Sequence, residues 1–179
     1  MHSWMIRLLL IPLLAALAPP PAAARGVYQT PEDFLAEVFA GEVPRPRSVW
    51  LTGQVRETAQ RILGHRPAAL RARYWRRGPR TAWILEEIGK EKPITVGLVV
   101  DGGRLERIKV LVFRESRGWE VREPAFTRQF DGARLDDQAR LDRTIDGITG
   151  ATLSVRALTN LARLALFLHA KVMERDDTP

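Results

Sequence analysis

A chain of 179 residues with 45% hydrophobic side chains is long enough for one domain with a substantial core, and it contains no cysteine. Disulfides, thiol catalysis, c-type haem attachment and cysteine-linked lipid anchoring are thereby excluded, and His2, His65 and His169 lie too far apart in sequence to suggest a histidine-rich metal site. The 28 basic residues against 21 acidic ones give a net charge of +7, which suits an anionic surface or an acidic partner; no nucleic-acid recognition motif accompanies it.

Residues 1–24 combine Arg7, the apolar run LLLIPLLAALA, a proline-rich spacer and Ala22-Ala23-Ala24. This order predicts a signal for export, cleaved after Ala24. The run is about half of the roughly twenty residues a bilayer requires and Pro12 interrupts it, so retention as an anchor is the lesser alternative. Next, Thr30-Pro31-Glu32-Asp33 predicts a short helix with Thr30 as N-cap, apolar on the side of Phe34, Leu35, Val38 and Phe39 and ended by Gly41. EVPRPR is an extended connector. Val49-Trp50-Leu51 predicts a brief strand, followed by a helix capped by Thr52, with Val55, Ala59, Ile62 and Leu63 inward and Gly64 as its stop.

RARYWRRGPRTAWILEEI predicts two strands around Gly78-Pro79. In KPITVGLVVDGGRLERIKVLVF the alternation of Ile94, Val96, Leu98 and Val100, the turn at Asp101-Gly102-Gly103, and the alternation of Ile108, Val110 and Val112 predict a hairpin. Together these elements predict an α+β fold: an antiparallel sheet with helices packed on one side of it. ESRGWEVREPAFTRQFDGARLDD is long and aperiodic, as functional or disordered loops are.

Asp146-Gly147-Ile148-Thr149-Gly150-Ala151-Thr152 is a polar turn that runs into the C-terminal helix. From Leu153 to near Met173, Val155, Leu158, Leu161, Ala162, Ala165, Leu166, Leu168 and Val172 recur at helical spacing, while Arg156, Asn160, Arg163 and Lys171 keep part of the surface wet. A helix start leaves amides unpaired and carries partial positive charge, so Thr149, Thr152 and Ser154 stand where an anion is welcome, with no side chain at Gly150 to obstruct it. Read alone, these hydroxyls are more readily plain N-caps than an anion site.

The spacing Asp-x-x-Thr-Gly-Ala-Thr is similar to the flavinylation motif of the FMN-binding domain family, which includes periplasmic flavin-carrier domains of the sodium-pumping NADH:quinone reductase and of the Rnf complex. The likeness extends upstream through FTRQFDG to about Gly89. It implies that Thr152 carries FMN through a phosphodiester made from FAD by an exported, Mg²⁺-using flavin transferase. Asp146, Thr149, Gly150, Ala151, Leu153 and Ser154 would surround that attachment, with Thr149 a hydrogen-bond donor to phosphate and Asp146 read by the transferase or capping the turn. Glu115-Ser116-Arg117-Gly118 occupies the place of a family loop near the flavin, with Arg117 where relatives commonly have Pro; Phe126, Gln129 and Phe130 match Phe-x-x-Gln-Phe. Trp75 and Trp83 can stack on a flavin, although tryptophans in strands more often pack in the core.

The implied organisation is a signal at 1–24, an N-terminal helical and strand part of the same domain at 25–88, the FMN-binding part at 89–172, and a disordered tail at 173–179. The implied function is electron transfer in the periplasm or on the outer face of the cytoplasmic membrane, between membrane redox proteins or along a quinone pathway. An exported binding module without flavin and a small-molecule reductase stay open as alternatives.

Overall fold

The computed structural model describes residues 26–176; the signal expected at 1–24 lies outside them. Helix α1 (Pro31–Val38) begins as its sequence indicates: Thr30 Oγ1 accepts the Asp33 amide at 3.1 Å. Strand β1 (Arg47–Trp50) follows, then α2 (Gly53–Leu63), which ends on Gly64 at φ 81°. Four longer strands come next: β2 (Arg71–Arg77), β3 (Arg80–Ile88), β4 (Pro93–Asp101) and β5 (Arg104–Phe113). A short helix α3 (Pro124–Thr127) sits between two 3-10 turns, and α4 (Thr152–Asp176) closes the chain.

The five strands form one antiparallel meander in the order β1-β2-β3-β4-β5. Turn chemistry sets its register. Gly102 and Gly103, both at positive φ, make the two-residue loop that pairs Asp101 with Arg104. Gly78 does the same between Arg77 and Arg80.

Helices cover both faces of this sheet, where the alternation suggested one. On the first face α2 and α4 pack against Tyr74, Trp83, Ile94, Val96, Leu98 and Val110. On the second, Phe34 and Leu35 of α1 and Phe39 at its C-cap meet Trp75, Ala82, Val99 and Leu111. Gly97 makes the second layer feasible, because a Cβ there would stand 2.6 Å from Phe34 Cζ. Two register shifts in the β4–β5 pairing, at Thr95/Val96 and Val99/Val100, change which residues of β5 face which layer. Val112 therefore joins the second cluster instead of continuing the Ile108–Val110 face, and Phe113 joins the first. Trp83 is fully buried and stacked on Tyr74 at 5.0 Å, and Trp75 packs in the second cluster, so both are core residues.

Packing anchors α4. Leu158, Leu161 and Leu168 are wholly buried, each contributing about 2 kcal/mol of apolar burial. Two residues whose spacing suggested a solvent-facing place bond to the neighbouring helix and loop instead. Asn160 Nδ2 donates to Leu63 O at 3.2 Å, and Arg163 donates to Ala139 O at 2.7 Å and to Ile62 O at 3.5 Å. The bonds to Leu63 and Ile62 satisfy carbonyls at the end of α2 that lack partners within that helix. Helix α4 continues past Val172 to Asp176, so the stretch expected as a disordered tail begins inside it; an ion pair of Lys171 with Glu174 supports this last turn. Among the described residues, no helix is long and apolar enough to cross a membrane.

Candidate functional site

Three segments converge on the start of α4. The first is the motif itself. Residues 146, 147, 149 and 150 are exposed or nearly so and Ile148 is half-buried. Gly150 takes φ 81°, and a Cβ there would meet nothing within 4 Å. The chain then folds inward at Ala151, which is buried, and its carbonyl accepts the Val155 amide at 3.0 Å. Ala151 is thus the N-cap, and Thr152 is the first residue of the helix.

This places the Thr152 hydroxyl differently from a cap. It is exposed and bonded to no other described residue. Alanine is a poor cap, at a cost of about 1 kcal/mol relative to Ser or Asp, and the buried leucines further along α4 outweigh that. The amides of Thr152, Leu153 and Ser154 precede the first intrahelical bond and have no acceptor among the described residues. Their partial positive charge, the absence of a side chain at Gly150 and a free hydroxyl occupy one place. Leu153 beside them is 37% exposed, whereas Ser154 is buried.

The second segment is the loop after β5. Gly118, at φ 83°, lies against the helix start: a Cβ on it would stand 2.9 Å from Ser154 Oγ and 3.2 Å from the Ala151 Cβ. The structure thus joins the 115–118 loop to the motif, which sequence spacing alone leaves apart. Glu115 ties the same loop elsewhere. Its Oε1 accepts the amides of Lys90, Glu91 and Lys92 at 2.6, 2.6 and 2.9 Å, fastening the loop to the β3–β4 turn. Desolvation pushes the Glu115 pKa up, but the amides of Lys92, Glu91 and Lys90 outweigh it and hold the carboxyl below its usual range. Ser116 is exposed.

The third segment is residues 126–130. Phe126 and Phe130 are buried and meet edge to face at 5.6 Å, filling the core. Between them Gln129 reaches out, and its Oε1 accepts the Asp146 amide at 2.7 Å. Gln129 therefore fixes where the motif begins, a role that no sequence spacing announces.

Beside the 115–118 loop lies an open cleft of about 610 Å³, lined by Tyr28, Lys92, Phe113, Arg114, Glu115 and Trp119 among others. Tyr28 and Trp119 are each about half exposed. The Arg122 guanidinium lies over both rings, 4.3 Å from the centre of Tyr28 and 5.2 Å from that of Trp119. Sequence reasoning missed Tyr28, since nothing local marks it.

Residues 89–166 match the FMN-binding domain family. The matched stretch runs from the β3–β4 turn into α4, so it contains all three converging segments and excludes α1, β1, α2, β2 and β3. No curated protein matches the chain.

Proposed function

Residues 89–166 being an FMN-binding domain, the mark of a flavin-carrying redox protein, we propose that this chain carries FMN covalently on Thr152 and relays electrons outside the cytoplasm. The observation that carries the reading is the state of the Thr152 hydroxyl: exposed, unbonded, and set beside three amides without acceptors among the described residues. Attachment is the work of a flavin transferase. The Thr152 oxygen takes the FMN phosphoryl group from FAD, the bond between the two FAD phosphates breaks, AMP leaves, and the hydroxyl proton is lost.

The chain's own residues then hold the product. The amides of Thr152, Leu153 and Ser154 offset phosphate charge, and Gly150 leaves it room. Thr149, exposed at the lip of the turn, is placed to donate to phosphate; Asp146 is the carboxylate a Mg²⁺-using transferase would read. Tyr28, Trp119 and Lys92, lining the cleft beside the loop, are the residues that would hold the ring. When bound, the flavin supplies reversible redox chemistry, tuned by nearby hydrogen bonds and dielectric.

Export agrees with the N-terminal run ending at Ala24. Tethering keeps the ring at an effective concentration that a weak pocket cannot reach where free flavin is scarce. The partners are then membrane redox proteins or a quinone pathway. Co-export of the full chain with a flavin transferase tests the reading: the product should stay yellow after denaturation and gel filtration. A colourless product of unmodified mass under those conditions opposes it.

A further inference from the structure

The β2–β3 pairing is short. It runs from Tyr74↔Trp83 to Arg77↔Arg80 and stops. Beyond that point β2 continues through Arg71–Arg73 paired only with β1, and β3 continues through Ile84–Ile88 paired only with β4. The sheet therefore splays into two halves.

Alternation says which main-chain groups face the gap. Arg77 and Arg80 flank a two-residue turn and exchange both of their bonds; Trp75 and Ala82 repeat that arrangement, and Arg73 with Ile84 would be next. The N–H and C=O of Ile84, Glu86 and Ile88 thus point away from β4, into the gap. Ile88 shows it directly, because its amide is taken by the Glu87 side chain at 3.0 Å, and Glu87 is itself held by His65 at 2.9 Å. At Ile84 and Glu86 no such substitute exists among the described residues.

A cleft of about 650 Å³ fills the gap. One side is apolar, with Leu51, Leu63, Leu85 and Leu164; the other carries the exposed Arg71 and Arg73, and of the carboxylates that also line the cleft Glu87 is held by His65, Glu86 by Thr95 with Arg114 at 3.8 Å, and Glu32 is exposed on α1. Arg73 has no acidic partner among the described residues. Leu70 and Ile88, 61% and 50% exposed, flank the gap at the ends of β2 and β3.

Free strand edges, an apolar floor and cationic side chains along one wall are the recognition features of one kind of ligand, an extended main chain. We propose that the gap between β2 and β3 receives an extended segment of a partner protein, added as a strand on β3, with apolar residues toward the leucines and acidic residues alternating toward Arg71 and Arg73. The run Ile84–Ile88, unpaired with β2 and with only its Ile88 amide taken by Glu87, spans about 17 Å, room for about five residues of strand. The cleft's strand edges lie before residue 89, outside the 89–166 match, so the site does not depend on flavin.

The probe is an acetylated, amidated hexapeptide of alternating glutamate and valine, titrated into the full-length chain and followed by amide hydrogen exchange. Saturable binding with about tenfold slower exchange at Ile84 and Glu86 is expected. Methylating the peptide nitrogens on one edge should weaken binding about tenfold or more, and Arg73→Glu should shift preference to the lysine–valine hexapeptide. Unchanged exchange at Ile84 and Glu86, equal binding of the methylated peptide, or occupation by decanoate with no peptide binding would each overturn the proposal.

Discussion

Gly118 and Ser154 are packed so closely that a methyl group on the glycine would stand 2.9 Å from the serine Oγ. One contact thus couples the loop after β5 to the first turn of α4, and with it the attachment turn. Gly118→Ala adds a left-handed backbone penalty of about 1–2 kcal/mol to that crowding. A loss of about 2 kcal/mol in denaturant unfolding, together with poorer flavin loading, is expected. Ser154→Ala in the same chain should relieve the contact with the serine Oγ but leave the one with the Ala151 Cβ and the backbone penalty. A neutral Gly118→Ala would show that the contact does not constrain the motif.

Gln129 supplies a second constraint through its bond to the Asp146 amide. Gln129→Leu removes the acceptor and should lower stability by about 1 kcal/mol. Flavin loading should slow by more than that figure suggests, because the start of the motif loses its anchor. Measured loading rates equal to those of the unaltered chain would reduce Gln129 to a packing residue.

Glu115 tests the division between structure and cofactor. Its carboxylate holds the 90–92 amides, and its depressed pKa means that this stabilisation is present above the usual carboxyl range and lost as the pH falls through the native value. Glu115→Ala should speed exchange of the Lys90, Glu91 and Lys92 amides. If instead those amides are unaffected while the flavin spectrum changes, Glu115 belongs to the ring and not to the turn.

Two histidines give opposite pH slopes. His169 is buried; its Nε2 accepts the Gly103 amide at 3.2 Å, so the proton sits on Nδ1, which donates to Thr81 Oγ1 at 2.8 Å. Burial first, and Arg76 second, push its pKa down. The unfolded chain therefore binds the proton more readily, and stability falls as pH drops from about 6.5 through the native value. His65 is the reverse: the Arg66 carbonyl, then Glu87, raise its pKa, so its contribution is full below about 6.5 and lost as pH rises through the native value. His65→Gln should leave unfolding free energy rising between about pH 5 and pH 7, and His169→Gln should leave it falling. Slopes unchanged by either substitution would contradict both assignments.

The elements are legible in the sequence where the chemistry is local. Thr30 and Gly64 mark helix ends by their own side chain or backbone freedom, and Asp101-Gly102-Gly103 marks a hairpin for the same reason. Features that depend on distant partners are not. The second layer needs Phe34 to find Gly97, the parity of Val112 depends on register shifts, and Asn160 looks solvated because its partner Leu63 lies far away in sequence. At the site, the motif is readable as a motif, yet Ala151 as N-cap, Gly118 against Ser154 and Gln129 under Asp146 all require the fold.

The central claim is that Thr152 bears the flavin. Intact mass and peptide mapping of the chain co-exported with a flavin transferase, beside its Thr152→Ala variant, address it most directly. Because Thr152 caps nothing, the variant should unfold within about 0.5 kcal/mol of the unaltered chain. The unaltered chain should carry the mass of FMN less one water on the peptide containing Thr152, and the variant none; covalent flavin retained by the variant, or an unmodified Thr152 in the loaded chain, would contradict the account.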